Sequence, residues 1–544
     1  MRKAVDPRTA LSRIRDGSVV AVSGFNMIAT PAYLLLKLYE LYEETGRPRD
    51  LFLIAETCPG TPGKGLDAIG RRMLESGDSG FLRGVLIPYY GWVPTIAKLV
   101  EENLVEGYNW PIGVVSHWLR EVAAGRPGLI TRVGLSTMFD PRVDGGYLNQ
   151  LARDRRTCRV ELVSVAGGEA LFYHCPKPTV ALVRGTTADE EGNVSMEHEG
   201  AVLNVLSIVQ AARSLPDRGF SVVQVKRVAG ARSIRPREVH IPAPLVDYVV
   251  LAPETAEYHG QTDSALYDPT LSGEVAPPAD ARTSALPHGV RKVVARRVAL
   301  EIVNLAADFG RPVLVNLGIG IPAEVASVLS EEGVEEFVYT TVESGLFGGV
   351  ALTGPDFGAS RGFFALVPMA DMFSIYEGGV LDAASLGFMQ VDSHGNVNPA
   401  FLPGRMPGAG GFPVIAFGAP NLYFAGEFTA GDKIIDVSGS RLRIVRDGEK
   451  VKFVRKVHKI VYSGHLGVMR GQRVLYITER AVFRLTRSGL ELVEVAPGVD
   501  VEKDVLGRME FEPRVSGEVR EMDRRLFDEK PLGLREILVS SLRK

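Results

Sequence analysis

The chain has 544 residues, 45% of them hydrophobic and 23% charged, with a formal net charge of −3. That length exceeds what one ordinary core serves, so two or more domains of a soluble globular kind are expected. The near-neutral balance gives no electrostatic case for nucleic acid or an anionic membrane surface, and no apolar run reaches the roughly 18 residues that span a bilayer.

The amino-terminal stretch MRKAVDPRTALSRIRDG has an early Asp and Pro and no apolar centre. It reads as a short helix ending at Asp16-Gly17, not as a secretory signal. Val19-Val20-Ala21-Val22 follows as a strand, then a turn through Ser23-Gly24-Phe25 and an amphipathic helix from Pro31 to Tyr42. Further runs of Val, Ile and Leu occur at residues 51–54, 222–225, 248–251 and 313–315. Such runs suit strands covered on both faces, as in a parallel sheet. With amphipathic helical segments between them, the class is α/β. Residues 257–288 are rich in Pro, Ser, Ala and Asp without periodicity and form the expected linker. It divides the chain into domains 1–256 and 289–544.

In the second half, "NLGIGIP" (316–322) is a strand-to-helix turn leading into a helix from Pro322 to Glu332. Glycines and a helix start can accept a phosphate, a pyrophosphate or a carboxylate, or simply make a tight turn. It is neither a GxGxxG nor a Walker sequence. Next comes "YTTVESGLFGG" (339–349), a buried-type strand with Glu343 at its end and glycines behind it. Water hydrates a carboxylate well, so a half-buried one at a strand end needs a reason. "GAGG" (408–411), between Pro407 and Pro413, is either a crossing loop or a set of backbone donors aimed at an oxyanion.

The two halves echo each other. "VVAVSGFNMIATPAYLLLKL" (19–38) parallels "PVLVNLGIGIPAEVASVLS" (312–330), and "TADEEGNVSME" (187–197) parallels "QVDSHGNVNPA" (390–400). Internal duplication is the expectation, with convergent turn chemistry as the alternative. Cys58, Cys158 and Cys175 form no CxxC pair and suggest no disulfide framework, so a reducing cytoplasm is expected. The histidines show no metal-ligand spacing, Glu197-His198-Glu199 reads as solvated surface, and no metal is expected.

Together these pieces resemble the family I coenzyme A transferases, in the fused two-domain branch of short-chain acyl-CoA and 3-oxoacid CoA transferases. The motifs run in the family's order: "TTVESGLFGG", "LVNLGIGIP", "GGVLDAASLGFMQVDSHGNVN", "GAGGF" and "FAGEFTAG", with "AAGRPGLITRVGLSTMFDP", "VRGTTADEEGNVSME" and "VDYVVLAPE" in the first half. The resemblance implies two related open α/β domains with largely parallel sheets, an alpha-type domain followed by a beta-type one. It implies Glu343 as covalent nucleophile, backbone donors at Gly410 and Gly411, and CoA against Gly318, Ile319, Gly320, Ile321 and Pro322. Asn398 is assigned either to CoA or to the turn. Ser23, Gly24, Phe25 and Ile112 are expected on the acyl side. CoA is then a co-substrate alongside an acyl-CoA and a free carboxylate. No permanently bound cofactor is implied, and a homodimer or homotetramer is the family's usual form.

Several positions depart from the family's pattern. Ile112 stands where a glutamine is usual, Ala323 where a glutamate is frequent, and Glu377 and Val380 where an aspartate and a glycine are common; "VNPAFLPGR" diverges too. A more apolar acyl side is expected from Ile112, favouring a larger or less polar acyl group. The alternatives are an acyl-CoA hydrolase using the same glutamate and, in another class, a CoA-binding protein with little turnover.

Overall fold

The computed structural model describes residues 3–278 and 285–542. Contacts divide the chain into two compact units. The first comprises residues 1–277, 342–374 and 404–414, the second 278–341, 375–403 and 415–544. The break at 277 falls within the expected linker, but two segments of the second half group with the first unit. Those segments carry Glu343 and the GAGG loop, so a single cut in sequence does not describe the compact units.

The first unit is built on a seven-stranded parallel sheet. Its strands are β1 (Val19–Val22), β2 (Leu51–Ala55), β3 (Leu82–Leu86), β4 (Glu106–Tyr108), β5 (Val180–Arg184), β6 (Phe220–Val225) and β7 (Tyr248–Leu251), in the order β7-β6-β5-β1-β2-β3-β4. Strands β1, β2 and β5 are buried at every position. That follows from their apolar content, broken only by Arg184 at the end of β5, because helices cover both faces of a parallel sheet. Helix α1 (Ala32–Thr45) leaves β1 and packs Leu34, Leu35 and Leu38 into the core with Leu53 and Leu82. It stops at Gly46, which takes the left-handed conformation a C-terminal cap favours.

The second unit holds β8 (Val313–Leu317), β9 (Val338–Val342, its last residue belonging to the first unit), β10 (Ala383–Gly387), β11 (Asn421–Ala425) and β12 (Arg473–Ile477). They are parallel and ordered β9-β8-β10-β11-β12, extended by the antiparallel strands Ala481–Thr486 and Gly489–Val495. Helix α2 (Ile321–Glu331) leaves β8 and packs against α3 (Val290–Phe309).

The order β9-β8-β10-β11-β12 repeats β2-β1-β5-β6-β7, strand for strand in chain order. The Asp-x-x-Gly-Asn turn also recurs after β5 and β10. Asp189 Oδ1 accepts the N–H groups of Glu191, Gly192 and Asn193, and Asn193 Nδ2 donates to Asp189 Oδ2 at 2.8 Å. Asp392 Oδ1 likewise accepts from His394 and Asn396, and Asn396 Nδ2 donates to Asp392 Oδ2 at 3.0 Å. The spare asparagine oxygen even has the same use, accepting Ala243 N–H in one unit and Gly464 N–H in the other. The shared turn and strand order are what the expected duplication would leave.

Four expectations need correction. The first helix is a short Pro7–Leu11, capped by Asp6, so it ends before Asp16. Of the expected linker, residues 279–284 lie outside the described residues, but 257–271 is ordered and packed. Ala256–His259 is helical, and His259, Gln261, Thr262 and Leu271 are buried. Glu199 is buried rather than solvated. It pairs with the fully buried Arg184 in a contact that holds its carboxyl well below the usual range. Finally, Cys158 and Cys175 form a disulfide. They sit just beyond the paired residues Arg159 and His174 of the antiparallel strands Arg159–Val165 and Gly168–His174, so strand register brings them opposite. The sequence shows no such pairing because the two cysteines are 17 residues apart and share no motif. Cys58 is free and buried.

Candidate active site

Glu343 follows β9 directly, and Thr341 and Val342 before it are buried. The chain then turns sharply: Gly345 N–H donates to Val342 O at 3.0 Å, and Ser344 Oγ donates to Gly358 O at 2.5 Å. Gly345 has φ +118°, and a Cβ there would stand 2.0 Å from the Val367 carbonyl oxygen, so only glycine fits. The turn leaves the Glu343 side chain 9% exposed, and its carboxyl pKa is pushed up to about 7 with burial as the one cause. No hydrogen bond or ion pair among the described residues offsets that burial. Burial disfavours the charged form, and nothing compensates.

The GAGG loop abuts this carboxylate. A Cβ on Gly411 would fall 1.7 Å from Glu343 Oε2 and 3.2 Å from the Phe373 ring. The loop is held by main-chain and side-chain bonds to the β3 and β4 ends. Gly410 N–H donates to Pro88 O at 3.0 Å, Ala409 N–H to Asn109 Oδ1 at 3.2 Å, and Ile112 N–H to Gly410 O at 3.0 Å. Asn109 also donates from Nδ2 to Ile87 O and Pro88 O, both at 2.8 Å. This corrects the expectation for Gly410. Its N–H is already engaged by Pro88 and cannot serve an oxyanion. The Gly411 N–H has no acceptor among the described residues.

Ile112 is buried and opens helix α4 (Ile112–Ala123), tied by its N–H to the GAGG loop. The Ser23–Phe25 turn is internally satisfied. Ser23 Oγ donates to Ala29 O at 2.7 Å and accepts Arg184 N–H at 3.3 Å, so its hydroxyl proton is already used within the protein. Gly24 N–H donates to Glu56 Oε1 at 2.7 Å, and its carbonyl accepts the Thr57 hydroxyl. Phe25 is buried, its ring centroid 5.8 Å from that of Phe357.

In the second unit, Gly318 N–H donates to Ser385 O at 2.9 Å, Ile319 is 54% exposed, and Gly320 precedes the first turn of α2, where Ile321 and Pro322 are buried. That backbone, opening on a helix start, suits an anionic group. Asn398 is otherwise occupied. Its Nδ2 donates to Gln390 Oε1 and Phe401 O, and its Oδ1 accepts the N–H groups of Ala400 and Phe401. These bonds favour the turn over CoA for the Asn398 side chain.

Residues 5–252 match the family Coenzyme A transferase. Caffeate CoA-transferase of Acetobacterium woodii is 37% identical over 543 residues, covering 99% of this chain and 100% of the relative. The chain belongs to the coenzyme A transferases. Acetate CoA-transferase YdiF of Escherichia coli (strain K12) is 35% identical, with 96% of this chain and 95% of the relative covered. A crystal structure of the acyl-CoA transferase YdiF from E. coli O157:H7, described as a thioester complex with CoA, superposes with a TM-score of 0.86 at 33% identity, covering 98% of this chain and 97% of that one.

Two further residues of this CoA transferase were not singled out in the sequence, Tyr89 beside the GAGG loop and Glu56 at the end of β2. Tyr89 follows Pro88, packs its ring 3.8 Å from where a Gly410 Cβ would lie, and has its hydroxyl pKa raised by burial, with the Glu343 charge contributing. Glu56 follows β2 immediately, as Glu343 follows β9. The sequence carried that signal in "LFLIAETC", an apolar strand ending in a glutamate.

Proposed function

We propose that this transferase moves CoA between a short- or medium-chain acyl-CoA and a free carboxylate with Glu343 as the covalent nucleophile. The observation that carries the assignment is the buried Glu343 carboxylate, lifted to about 7 by desolvation alone. A carboxylate in water is a weak nucleophile because hydration stabilises its charge; removing that hydration and fixing its position raise its reactivity.

A Glu343 oxygen attacks the thioester carbonyl carbon, and the C–S bond breaks to give an acyl-glutamyl anhydride and CoA thiolate. The thiolate attacks the glutamyl carbonyl carbon; the anhydride C–O bond breaks, the first carboxylate leaves, and a glutamyl-CoA thioester remains. A second carboxylate reverses these steps and departs as the new acyl-CoA. Atoms and charge balance without a metal or a redox cofactor. The Gly411 N–H is the proposed oxyanion donor, worth about 3 kcal/mol of transition-state stabilisation. The Gly318–Pro322 turn is proposed to bear on CoA.

The YdiF structure described as a CoA thioester supports a covalent enzyme–CoA intermediate. The caffeate and acetate transferases among the relatives leave the acyl group open between aromatic and short-chain acids. Weaker similarity, at 26% identity, to mouse succinyl-CoA:3-ketoacid coenzyme A transferase 2B supports a place in short-chain fatty acid or ketone-body metabolism. We keep as part of this reading an alpha-type domain at 1–256, a beta-type domain at 289–544 and a homo-oligomer; the cytoplasmic location expected from unpaired cysteines loses that support with the Cys158–Cys175 disulfide. No described helix is long and apolar enough to cross a membrane.

The test is intact-protein mass after incubation with short-chain and aromatic acyl-CoAs, beside Glu343→Gln. A CoA-sized gain confined to the wild type, discharged by an added carboxylate with formation of its CoA thioester, supports the reading. Discharge by water at a rate indifferent to carboxylates would make the protein a hydrolase instead.

A further inference from the structure

Glu56 and Glu343 occupy the same topological place, each the first residue after the corresponding strand of a repeated sheet. Their surroundings differ sharply. Among the described residues Glu343 has no hydrogen-bonding partner, whereas both oxygens of the fully buried Glu56 accept backbone N–H groups, Oε1 from Gly24 at 2.7 Å and Oε2 from Asn204 at 2.9 Å.

The bonds continue from there. Asn204 Nδ2 donates to Ser116 Oγ at 2.9 Å, and Ser116 Oγ donates to Ile112 O at 2.8 Å. Ile112 N–H donates to the carbonyl of Gly410, the neighbour of Gly411. On its other side, Asn204 Oδ1 accepts Ala370 N–H at 3.0 Å, within the segment that also carries Glu343 and Phe373. All these residues belong to the first unit.

We propose that Glu56 is a positioning residue for the transfer reaction: its two carboxylate oxygens hold the Gly24 turn and Asn204 at one fixed separation, and through Asn204, Ser116 and Ile112 they lock that turn to the Gly410–Gly411 backbone beside Glu343. This rests on Glu343 being the nucleophile. A carboxylate can accept both N–H groups, while a carboxamide cannot, because its NH2 faces one of them donor to donor. In a buried chain of bonds such a mismatch moves the connected loops, since no water is present to replace the lost partner. The Glu56 pKa is raised to about 7 by burial, against the opposing Gly24 and Asn204 hydrogen bonds, with no charged residue among the causes. Protonation at lower pH therefore releases one of the two N–H groups, as the carboxamide does at every pH.

The experiment compares wild type, Glu56→Gln, Glu56→Asp and Ser116→Ala. For each it measures the amount and rate of glutamyl-CoA formation from acyl-CoA, kcat and KM for acyl-CoA between pH 5.5 and 8.5, inhibition by free CoA, and circular-dichroism melting. Glu56→Gln is expected to slow adduct formation about 10- to 100-fold, from misplacement of the reacting groups, with little change in inhibition by CoA. Glu56→Asp, which keeps the charge but is one methylene short, recovers part of the rate. Ser116→Ala removes both bonds of its hydroxyl, to Asn204 and to Ile112 O, without changing charge, and slows the reaction about threefold. The mutant-to-wild-type rate ratio for Glu56→Gln is expected to rise toward 1 below pH 7, where wild-type Glu56 is itself protonated. Unchanged rates in both Glu56→Gln and Ser116→Ala, or losses that follow the folded fraction alone at every pH, overturn the inference while leaving the nucleophile assignment intact. Absence of a wild-type adduct at Glu343 overturns the functional reading and this inference with it.

Discussion

Gly411 stands so close to Glu343 that a methyl group added to it would fall 1.7 Å from Oε2. The backbone of one loop is thus pressed against the carboxylate that another loop presents, and the approach depends on the missing side chain rather than on an unusual main-chain conformation. An oxyanion formed at that carboxylate would lie within reach of this backbone, which is why the Gly411 N–H is the proposed donor.

Gly411→Ala is therefore expected to displace the Glu343 carboxylate and lower kcat/KM at least about 100-fold, the scale of a 1 Å misplacement at a reacting centre. The affected contacts lie at the site and not in a sheet, so a folded protein is expected. Steady-state kinetics with circular dichroism on the same sample decides this.

The Glu343 pKa makes two predictions of opposite sense. As a nucleophile the group acts ionised, so the rate of adduct formation should fall about tenfold per pH unit below pH 7. For stability the sign reverses. The folded-state pKa is raised from 4.5 to about 7, so the unfolded chain loses its proton first. The group's favourable contribution is complete below about pH 4.5, declines as pH rises, and is gone above about 7, a difference of roughly 3 kcal/mol. Glu343→Gln should therefore stabilise the protein by about that amount at pH 8 and by little at pH 4.5. Urea unfolding at the two pH values measures it.

Asn109 is fully buried and bonds Ile87, Pro88 and Ala409 with its side-chain amide. Asn109→Ala leaves those groups without partners, at an expected cost of about 2–4 kcal/mol. Because Pro88 also accepts the Gly410 N–H, activity should fall further than stability alone explains. Specific activity per folded molecule, with the folded fraction taken from a denaturant curve, separates the two effects.

Glu199→Gln tests the buried ion pair with Arg184. Removing one charge leaves the guanidinium uncompensated in the core, and a loss of about 3–5 kcal/mol is expected. Arg184 also donates to Thr30 O and Gly260 O, so protease sensitivity near residues 30 and 260 should rise with it. Wild-type stability in Glu199→Gln would mean that the pair contributes nothing net.

Much of this was legible in sequence. Unbroken Val-Leu-Ile-Ala runs pointed to a parallel sheet because a strand covered on both faces has no solvent side to mark. The pattern of strand, glutamate and glycines singled out Glu343 because charge at a buried strand end is costly wherever the chain goes. The repeated Asp-x-x-Gly-Asn turn was readable too, since its bonds join residues within four positions of one another.

What tertiary structure alone decided was the fate of hydrogen-bonding groups that meet across long separations. Gly410 N–H could face an oxyanion or a carbonyl, and only the approach of Pro88 assigns it. Asn398 could bond a ligand or its own turn, and its side chain bonds Gln390, Ala400 and Phe401. Glu199 read as surface until Arg184 was seen beside it, and Cys158 met Cys175 only through the register of two strands. Sequence periodicity determines which face of an element is apolar. Which donor reaches which acceptor depends on where distant loops close, and local pattern carries no record of that.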